Sequence, residues 1–261
     1  MRRGSLFWGG ILILLGILFS LQAAGMIDDV LGWFWPLFLI LLGVAVLVSR
    51  FTAPSLTGGE AFSINLEGAA RVALDVDHGA GSVKVMGGAP YGTAISGTQG
   101  TAMSFKSHLN GDTLTVDIDA GPSFIPFLGP EGGSWVFQLT NEVPVSMKFD
   151  GGAASLDFDF TGTKLDFLGV DMGAASLTLK LPANAGRTLV DVESGAASID
   201  ITIPQGVAAR IRLEQGVSAQ NIDLARFPQV MDGMYQSPDF ESAENKAEIN
   251  LEGGANTVNI R

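Results

Sequence analysis

The amino-acid sequence predicts a membrane-anchored all-β protein, in which two N-terminal transmembrane helices precede a β-solenoid of stacked repeats of about 21 residues. Three observations predict this class. A phrase built on Gly-Ala-Ala-Ser recurs at nearly constant spacing, apolar residues alternate with polar ones on both sides of it, and the N-terminal region contains two long uncharged runs. The predicted parts are a transmembrane helical hairpin over residues 1–51, a linker over 52–60 and a β-domain over 61–261.

The repeat is clearest between residues 147 and 224. Successive glycines at the start of each phrase are 21, 22 and 21 residues apart, and the fourth unit is degenerate. A fixed period near twenty is typical of units that stack, because one unit alone cannot bury its apolar face. The glycines predicted to form the repeat turns are Gly79, Gly152, Gly173, Gly195, Gly216 and Gly254.

Each repeat glycine separates two segments with an alternating apolar pattern. Apolar residues lie three and five positions before the glycine, and again at alternate positions after the serine. A period of two predicts two short strands, each with one buried face. Glycine allows a positive φ or a crowded corner, and the small residues after it let corners stack closely. We therefore expect Leu156, Leu177 and Ile199 to lie in one file inside a shared core.

An acidic residue precedes each repeat glycine by two positions. One interpretation is a row of carboxylates that binds cations, since hard ions such as calcium prefer clustered oxygen ligands. The interpretation we favour is architectural: each carboxylate accepts backbone N–H groups of its corner or faces solvent. The candidates in the main repeat are Asp150, Asp171, Glu193 and Glu214, and outlying units add Asp77, Asp119 and Glu252.

The uncharged runs cover residues 4–27 and 30–49, with an aspartate pair at 28–29 between them. Each run is long enough for a helix that crosses the ~30 Å hydrocarbon core, so the sequence predicts a transmembrane hairpin. The alternatives are two buried helices of a soluble domain and a secretory signal peptide, although no small-x-small cleavage pattern follows the first run. The residues predicted to lie at the membrane interface are the tryptophans Trp8, Trp33 and Trp35.

Basic residues flank this hairpin, with Arg2 and Arg3 before the first run and Arg50 after the second. Because positively charged flanks stay in the cytoplasm, the β-domain is predicted on the cytoplasmic side of the membrane. The alternative is an extracytoplasmic β-domain. The linker offers little reach, so the β-domain should sit close to the bilayer.

Two inserts interrupt the repeat. Residues 122–139 include Trp135, and residues 227–246 include Tyr235 and Phe240. Such large apolar side chains either plug the core or form an exposed binding patch, and burial is their commoner fate. Degenerate terminal units are expected where a stack must be capped against edge pairing.

Charge and motif content exclude several functions. The formal net charge is −12, and the part after residue 51 carries 12 basic against 25 acidic residues, so nucleic acid is not an expected partner. The absence of cysteine excludes disulfides and thiol catalysis. His78 and His108 lack partners at metal-ligand spacing, and no catalytic or nucleotide-binding motif is present. The chain is therefore predicted not to be an enzyme and to need no cofactor.

Two groups of motifs carry a family resemblance. The first comprises Arg-Arg-Gly-Ser-Leu-Phe-Trp-Gly at residues 2–9 and Phe-Trp-Pro-Leu at 34–37. The second comprises the Gly-Ala-Ala-Ser units with Tyr-Gln-Ser-Pro-Asp-Phe at 235–240 and Ala-Glu-Asn-Lys at 243–246. The chain resembles the LiaI/LiaF-type membrane proteins of bacteria, which have paired transmembrane segments and a toast-rack, adhesin-like domain. The resemblance implies a right-handed β-solenoid, a multi-pass location in the bacterial cell membrane and no catalytic residues.

Two functional hypotheses follow. In the first, the protein is a membrane-tethered scaffold, and the resemblance implies that it regulates cell-envelope stress sensing by protein–protein contact, as on a membrane histidine kinase. Its expected partners are the lipid bilayer and a membrane or envelope protein, with homo-oligomers as an open alternative; the flat sheet faces and the two inserts are the expected contact surfaces. In the second, it is a surface module that adheres or binds carbohydrate or cations, which requires an extracytoplasmic β-domain.

Overall fold

The structure is a computed structural model, and it describes residues 18–20, 22, 24–25, 61–98, 103–120 and 133–261. Near the N terminus residues 18–20 and 22 are helical, and the backbone N–H of Ala24 donates to the carbonyl of Ser20.

The predicted membrane hairpin falls largely outside the described residues. So do the linker over 52–60 and the three tryptophans of this region, Trp8, Trp33 and Trp35. Within the part of the chain that is described, no helix combines the length and the apolar character needed to cross a membrane. The hairpin therefore stays a prediction.

The described part of the β-domain is built from strands, which confirms the all-β prediction. Six strands are long, between 15 and 17 residues, and carry the repeat glycines near their middle. The strands are β1 Ala61–Asn65, β2 Arg71–Gly87, β3 Thr93–Thr98, β4 Met103–Asn110, β5 Thr113–Ala120, β6 Gly133–Leu139, β7 Val145–Asp159, β8 Leu165–Lys180, β9 Arg187–Thr202, β10 Ala208–Ile222, β11 Gln229–Met231, β12 Met234–Gln236 and β13 Lys246–Ile260.

The long strands lie parallel and side by side in the order β2-β7-β8-β9-β13-β10. Their burial pattern alternates along each strand, so one face is buried and the other is exposed. The remaining strands extend this sheet at its two ends.

The register pairing is interrupted at the repeat glycine in every pairing between long strands, and we infer that each long strand bends there. Chain length requires the bend. The link from Asp159 to Leu165 spans at most about 20 Å, yet Leu165 lies beside Val145, the first residue of β7. A straight β7 would be about 50 Å long, so the chain turns back within the strand. The winding as a right-handed solenoid stays a prediction.

We call the part of a long strand before its glycine the upstream half and the part after it the downstream half. In the downstream halves, Leu156, Leu177 and Ile199 are register partners in adjacent strands, and each is at most 2% exposed. The predicted file of core residues is therefore confirmed. Full burial of each such side chain stabilises the fold by about 1.5–3 kcal/mol. The upstream halves contribute a matching buried file of Val76, Phe149, Val170, Val192, Leu251 and Leu213.

The order of the strands corrects one expectation. The repeat predicts that the unit of Gly216 follows that of Gly195 in space as in sequence, but the C-terminal strand β13 lies between β9 and β10. Asparagines on β13 match acidic residues of β9. For example, Asn259 Nδ2 donates to Asp200 Oδ1 at 2.9 Å. Side-chain complementarity between distant segments therefore overrides the sequential order.

At the opposite end, β2 pairs with different strands along its two halves. The upstream half pairs with β5, which pairs with β4, and the downstream half pairs with β6, followed by β3 and β1. Trp135 in β6 is fully buried. The described part of the first insert therefore plugs the core, as expected, while residues 121–132 lie outside the described residues.

The second insert caps the other end of the stack. Its hairpin of β11 and β12 pairs with the upstream half of β10, and its aromatic residues Phe227, Tyr235 and Phe240 are buried. The Arg210 guanidinium lies over the Phe240 ring, 4.2 Å from its centroid. These aromatic residues belong to the core, so they do not form the contact surface that the sequence suggested.

Candidate functional site

The acidic residues that precede the repeat glycines form one row across the sheet, which we call the acidic ladder. Register pairing places them side by side in the order Asp119, Asp77, Asp150, Asp171, Glu193, Glu252, Glu214. Adjacent strands are about 4.8 Å apart. The sequence placed Asp150, Asp171 and Glu193 in their correct order, but Glu252 separates Glu193 from Glu214 because β13 is inserted there.

The ladder faces solvent. Asp119 is partly buried and the other six residues are exposed. This exposure agrees with the solvent-facing alternative that the sequence suggested. At 4.8 Å in water two unit charges repel by about 1 kcal/mol, so the row carries a modest, distributed repulsion.

The described residues contain no group of three acidic or histidine side chains arranged to hold a metal ion. The ladder geometry explains this. Calcium binds six to eight oxygens at about 2.3–2.6 Å, whereas a row of single carboxylates about 4.8 Å apart spreads its oxygens along a line.

At the β5 end of the ladder, a cleft of about 250 Å³ is lined by Asp75, Asp77, Asp117, Asp119 and Lys106. Desolvation by the surrounding residues raises the pKa of the Asp77 carboxyl, and the neighbouring carboxylates of Asp75, Asp150 and Asp119 raise it further. One lysine opposes four acids here, so this end of the ladder carries an excess of negative charge.

At the β10 end, a second cleft of about 300 Å³ is lined by Asp191, Val192, Glu193, Arg212, Glu214, Asn250, Leu251 and Glu252. Here the charges are partly matched. Asn250 Nδ2 donates to Asp191 Oδ1 at 2.7 Å, and Arg212 adds a cation among the carboxylates. This end can offer both donors and acceptors to a partner.

The two histidines lie apart. His108 is exposed on β4, whereas His78 is 2% exposed, and its ring lies edge-on to Trp135 with centroids 4.4 Å apart. Among the described residues neither ring nitrogen of His78 has a hydrogen-bond partner, and burial lowers its pKa to about 4. The burial of His78 could have been predicted from the alternating pattern of the repeat, because the buried Met172 occupies the same register position in β8.

The repeat corner is crowded by backbone. A Cβ atom on Gly152, Gly173, Gly195 or Gly254 would lie 2.7–2.9 Å from the carbonyl oxygen of the glycine in the neighbouring strand. None of these four glycines has a positive φ. Of the two reasons that the sequence suggested for glycine at this position, close approach is confirmed and a left-handed conformation is wrong.

Beside the corner, the repeat serines form a row of exposed hydroxyl groups. Ser176 Oγ donates to Ser155 Oγ at 3.2 Å, and Ser82 Oγ donates to Ser134 Oγ at 2.9 Å. Among the described residues no histidine or carboxylate hydrogen-bonds to these four serines. They occupy one structural position in successive strands, and for Ser155 and Ser176 the repeat predicted this.

Long parallel strands that bend at crowded glycine corners, with an acidic row beside them, define a repetitive β-sheet protein. The chain belongs to the toast-rack family: residues 54–202, more than half of the chain, match the family described as the N-terminal domain of toast_rack, DUF2154. The matched segment ends at Thr202, the last residue of β9.

The β-domain is also similar to a solved structure described as a "putative cell adhesion protein" from Clostridium sporogenes. The two share 21% identity with a TM-score of 0.70, over 77% of this chain and 97% of that chain, which shows a common fold. A "putative adhesin" from Bacteroides fragilis aligns over 80% of this chain and 99% of its own, at 11% identity and a TM-score of 0.26. No curated protein matches the chain.

Proposed function

We propose that the protein is a non-catalytic scaffold, tethered to the bacterial cell membrane, whose β-domain contacts a partner protein and so regulates cell-envelope stress signalling. The acidic ladder carries this proposal. It is a row of seven carboxylates, six of them exposed, that crosses seven parallel strands. Such a surface suits contact with another macromolecule, whereas a small-molecule enzyme needs a concave site with converging groups.

The charge of the ladder indicates the chemistry of the partner. A row of carboxylates with few nearby cations favours a basic surface, and electrostatic complementarity mainly sets specificity and association rate. The resemblance to LiaI/LiaF-type proteins supports a membrane or envelope protein, such as a histidine kinase, as that partner. It also supports a right-handed solenoid. The positively charged flanks at Arg2, Arg3 and Arg50 support a β-domain on the cytoplasmic side of the membrane, tethered by the hairpin of residues 1–51. Self-association through the same face is not favoured, because two such faces would repel each other.

Site-specific cross-linking tests this contact. The chain has no cysteine, so Asp171→Cys places a single thiol in the ladder of β8, and Thr178→Cys places one on the downstream half of the same strand. Both positions are exposed. With a thiol-reactive photo-cross-linker in native membranes, we expect a partner adduct from position 171 and none from 178. Equal adducts from both positions, or an adduct from 178 alone, would place the contact elsewhere.

The second candidate function is an adhesive surface module, and the similar fold of the Clostridium sporogenes protein, which is described as a "putative cell adhesion protein", favours it. The side of the membrane distinguishes the two. Ser198 is exposed, whereas Ser194 is buried and bonded to Asn256, so Ser198→Cys is the suitable probe. A membrane-impermeant maleimide should leave Ser198→Cys unlabelled in whole cells and label it after lysis. Labelling in intact cells would support the adhesive module.

A further inference from the structure

β13 lies between β9 and β10 in the sheet, and this position supports an inference about strand exchange. β9 and β10 are consecutive in the chain and parallel, yet β13 separates them along their whole length. The link between them, residues 203–207, is as long as the link of residues 160–164 between β7 and β8, which are direct neighbours. The chain thus joins β10 to β9 as if the two strands were adjacent.

The repeat register also fits a direct pairing of β9 with β10. Gly195 and Gly216 are 21 residues apart, the same spacing as between Gly152 and Gly173 in the paired strands β7 and β8. With β13 removed, β10 can therefore move one strand spacing inward and keep its corner beside the corner of β9. The 23 residues 223–245, which include β11 and β12, link the end of β10 to the start of β13 and leave β13 free to move without breaking the β9–β10 link.

Side chains on β10 can replace those that β13 offers to β9. Through the shared register, Arg212 occupies on β10 the position that Asn250 occupies on β13, opposite Asp191. Asn221 likewise occupies the position of Asn259, opposite Asp200. Both aspartates would thus keep a hydrogen-bonding partner after the exchange.

We propose that β13 is a displaceable strand: when it leaves the sheet, β10 closes onto β9 in the register of the repeat. The inserted arrangement is the major one, because β13 buries Ile249, Leu251, Val258 and Ile260 in the core. The exchanged arrangement releases β13, whose alternating apolar residues then become available to another strand. This proposal does not depend on the proposed scaffold function.

Disulfide trapping in the full-length chain tests the exchange. Three residues after the repeat glycines, Ser198 on β9 and Ala219 on β10 are the register partners of Thr257 on β13, one on each side of it. Two strand spacings, about 9.6 Å, exceed the roughly 7 Å limit for a disulfide between Cα atoms. A disulfide in S198C/A219C therefore requires β13 to leave. The matched control is S155C/S198C, which flanks Ser176 on β8 with the same separation.

Under mild oxidation, we expect the intramolecular disulfide to form in S198C/A219C at least about tenfold faster than in S155C/S198C, because local opening costs less free energy than global unfolding. Non-reducing gels and mass spectrometry of the linked peptides measure both rates. Equal rates, or cross-links only between chains, would overturn the proposal. Slow disulfide formation in the adjacent pair S198C/T257C would also overturn it, because that result would show that β13 does not lie beside β9.

Discussion

A methyl group at Gly173 would lie 2.7 Å from the carbonyl oxygen of Gly152, closer than a carbon and an oxygen atom can approach without displacing the backbone. The same contact recurs at Gly195 and Gly254. Glycine is therefore required at the residue scale by the spacing of neighbouring strands and not by an unusual φ. Gly79 differs, because a Cβ there meets no described atom within 4 Å.

This difference predicts the effect of two alanine substitutions. Gly173→Ala should lower the free energy of unfolding by about 1–3 kcal/mol, because the added methyl group overpacks the corner. Gly79→Ala, the matched control, should change it by less than about 0.5 kcal/mol. Urea unfolding followed by circular dichroism measures both. Similar losses in the two variants would show that strand spacing does not explain the glycine.

His78 shows how the environment of one residue sets a pH response. Its imidazole is buried against Trp135, and burial lowers its pKa from the usual 6.5 to about 4. The unfolded chain therefore takes up the proton first as pH falls. The stability associated with neutral His78 is fully present above pH 6.5 and is lost progressively between about pH 6.5 and 4, by roughly 3 kcal/mol in total.

His78→Met should remove this part of the acid sensitivity, because methionine does not titrate and Met172 already fills the equivalent position in β8. We expect the stability difference between variant and wild type to grow in favour of the variant as pH falls from 6.5 to 4. Urea unfolding at several pH values measures it, with His108→Gln on the exposed face of β4 as the control. A constant difference across that range would contradict the assignment.

At the scale of the element, β13 is matched to β9 by a buried polar contact at the corner. Asn256 is 4% exposed; its Oδ1 accepts the backbone N–H of Ala197 at 2.8 Å, and its Nδ2 donates to Ser194 Oγ at 2.9 Å. At this position β7, β8 and β9 have alanine, whereas β2 has Gly81 and β10 has Ser218. The asparagine therefore marks β13 as the neighbour of β9.

Asn256→Ala should destabilise the domain by about 1–3 kcal/mol, because it leaves the buried N–H of Ala197 without its acceptor and removes one of the two hydrogen bonds of the Ser194 hydroxyl. Asn259→Ala is the matched control on the same strand. Its partner Asp200 is only partly buried and can be solvated, so its loss should cost less than about 1 kcal/mol. Equal losses in thermal unfolding would show that the corner contact has no special weight.

At the scale of the whole molecule, acidic residues outnumber basic ones, and seven of the acidic residues form a row across the sheet. The formal net charge is −12, and the acidic ladder aligns seven carboxylates across the sheet. Repulsion of this kind lowers stability and is screened by salt, because the Debye length falls from about 30 Å at 0.01 M to about 8 Å at 0.15 M.

Raising the NaCl concentration from about 0.01 to 0.15 M should therefore raise Tm by a few degrees, about 2–4 °C for each kcal/mol of relieved repulsion. Calcium chloride at equal ionic strength should give the same shift, because single carboxylates about 4.8 Å apart do not converge to supply the six to eight oxygens that calcium binds. Calorimetry measures both salts. A clearly larger shift with calcium would show that the ladder binds this cation.

The residues of the acidic ladder were predictable from the sequence, but their complete order across the sheet was not. The column of acids two residues before each glycine predicts a row on one sheet face, because residues at equal offsets in stacked units share a register. The position of Glu252 between Glu193 and Glu214 could not be predicted, since it depends on where β13 inserts. The cleft at Asp77 likewise needs β4 and β5, which lie outside the regular repeat.

The sequence by itself determined the strand halves, the corner glycines and the buried file of Leu156, Leu177 and Ile199, because alternation and period are local properties of the chain. Only the tertiary structure decided the order of the strands. Pairing between segments far apart in sequence depends on individual contacts such as that of Asn256 with Ser194. A repeat period does not encode these contacts, because every unit shares it.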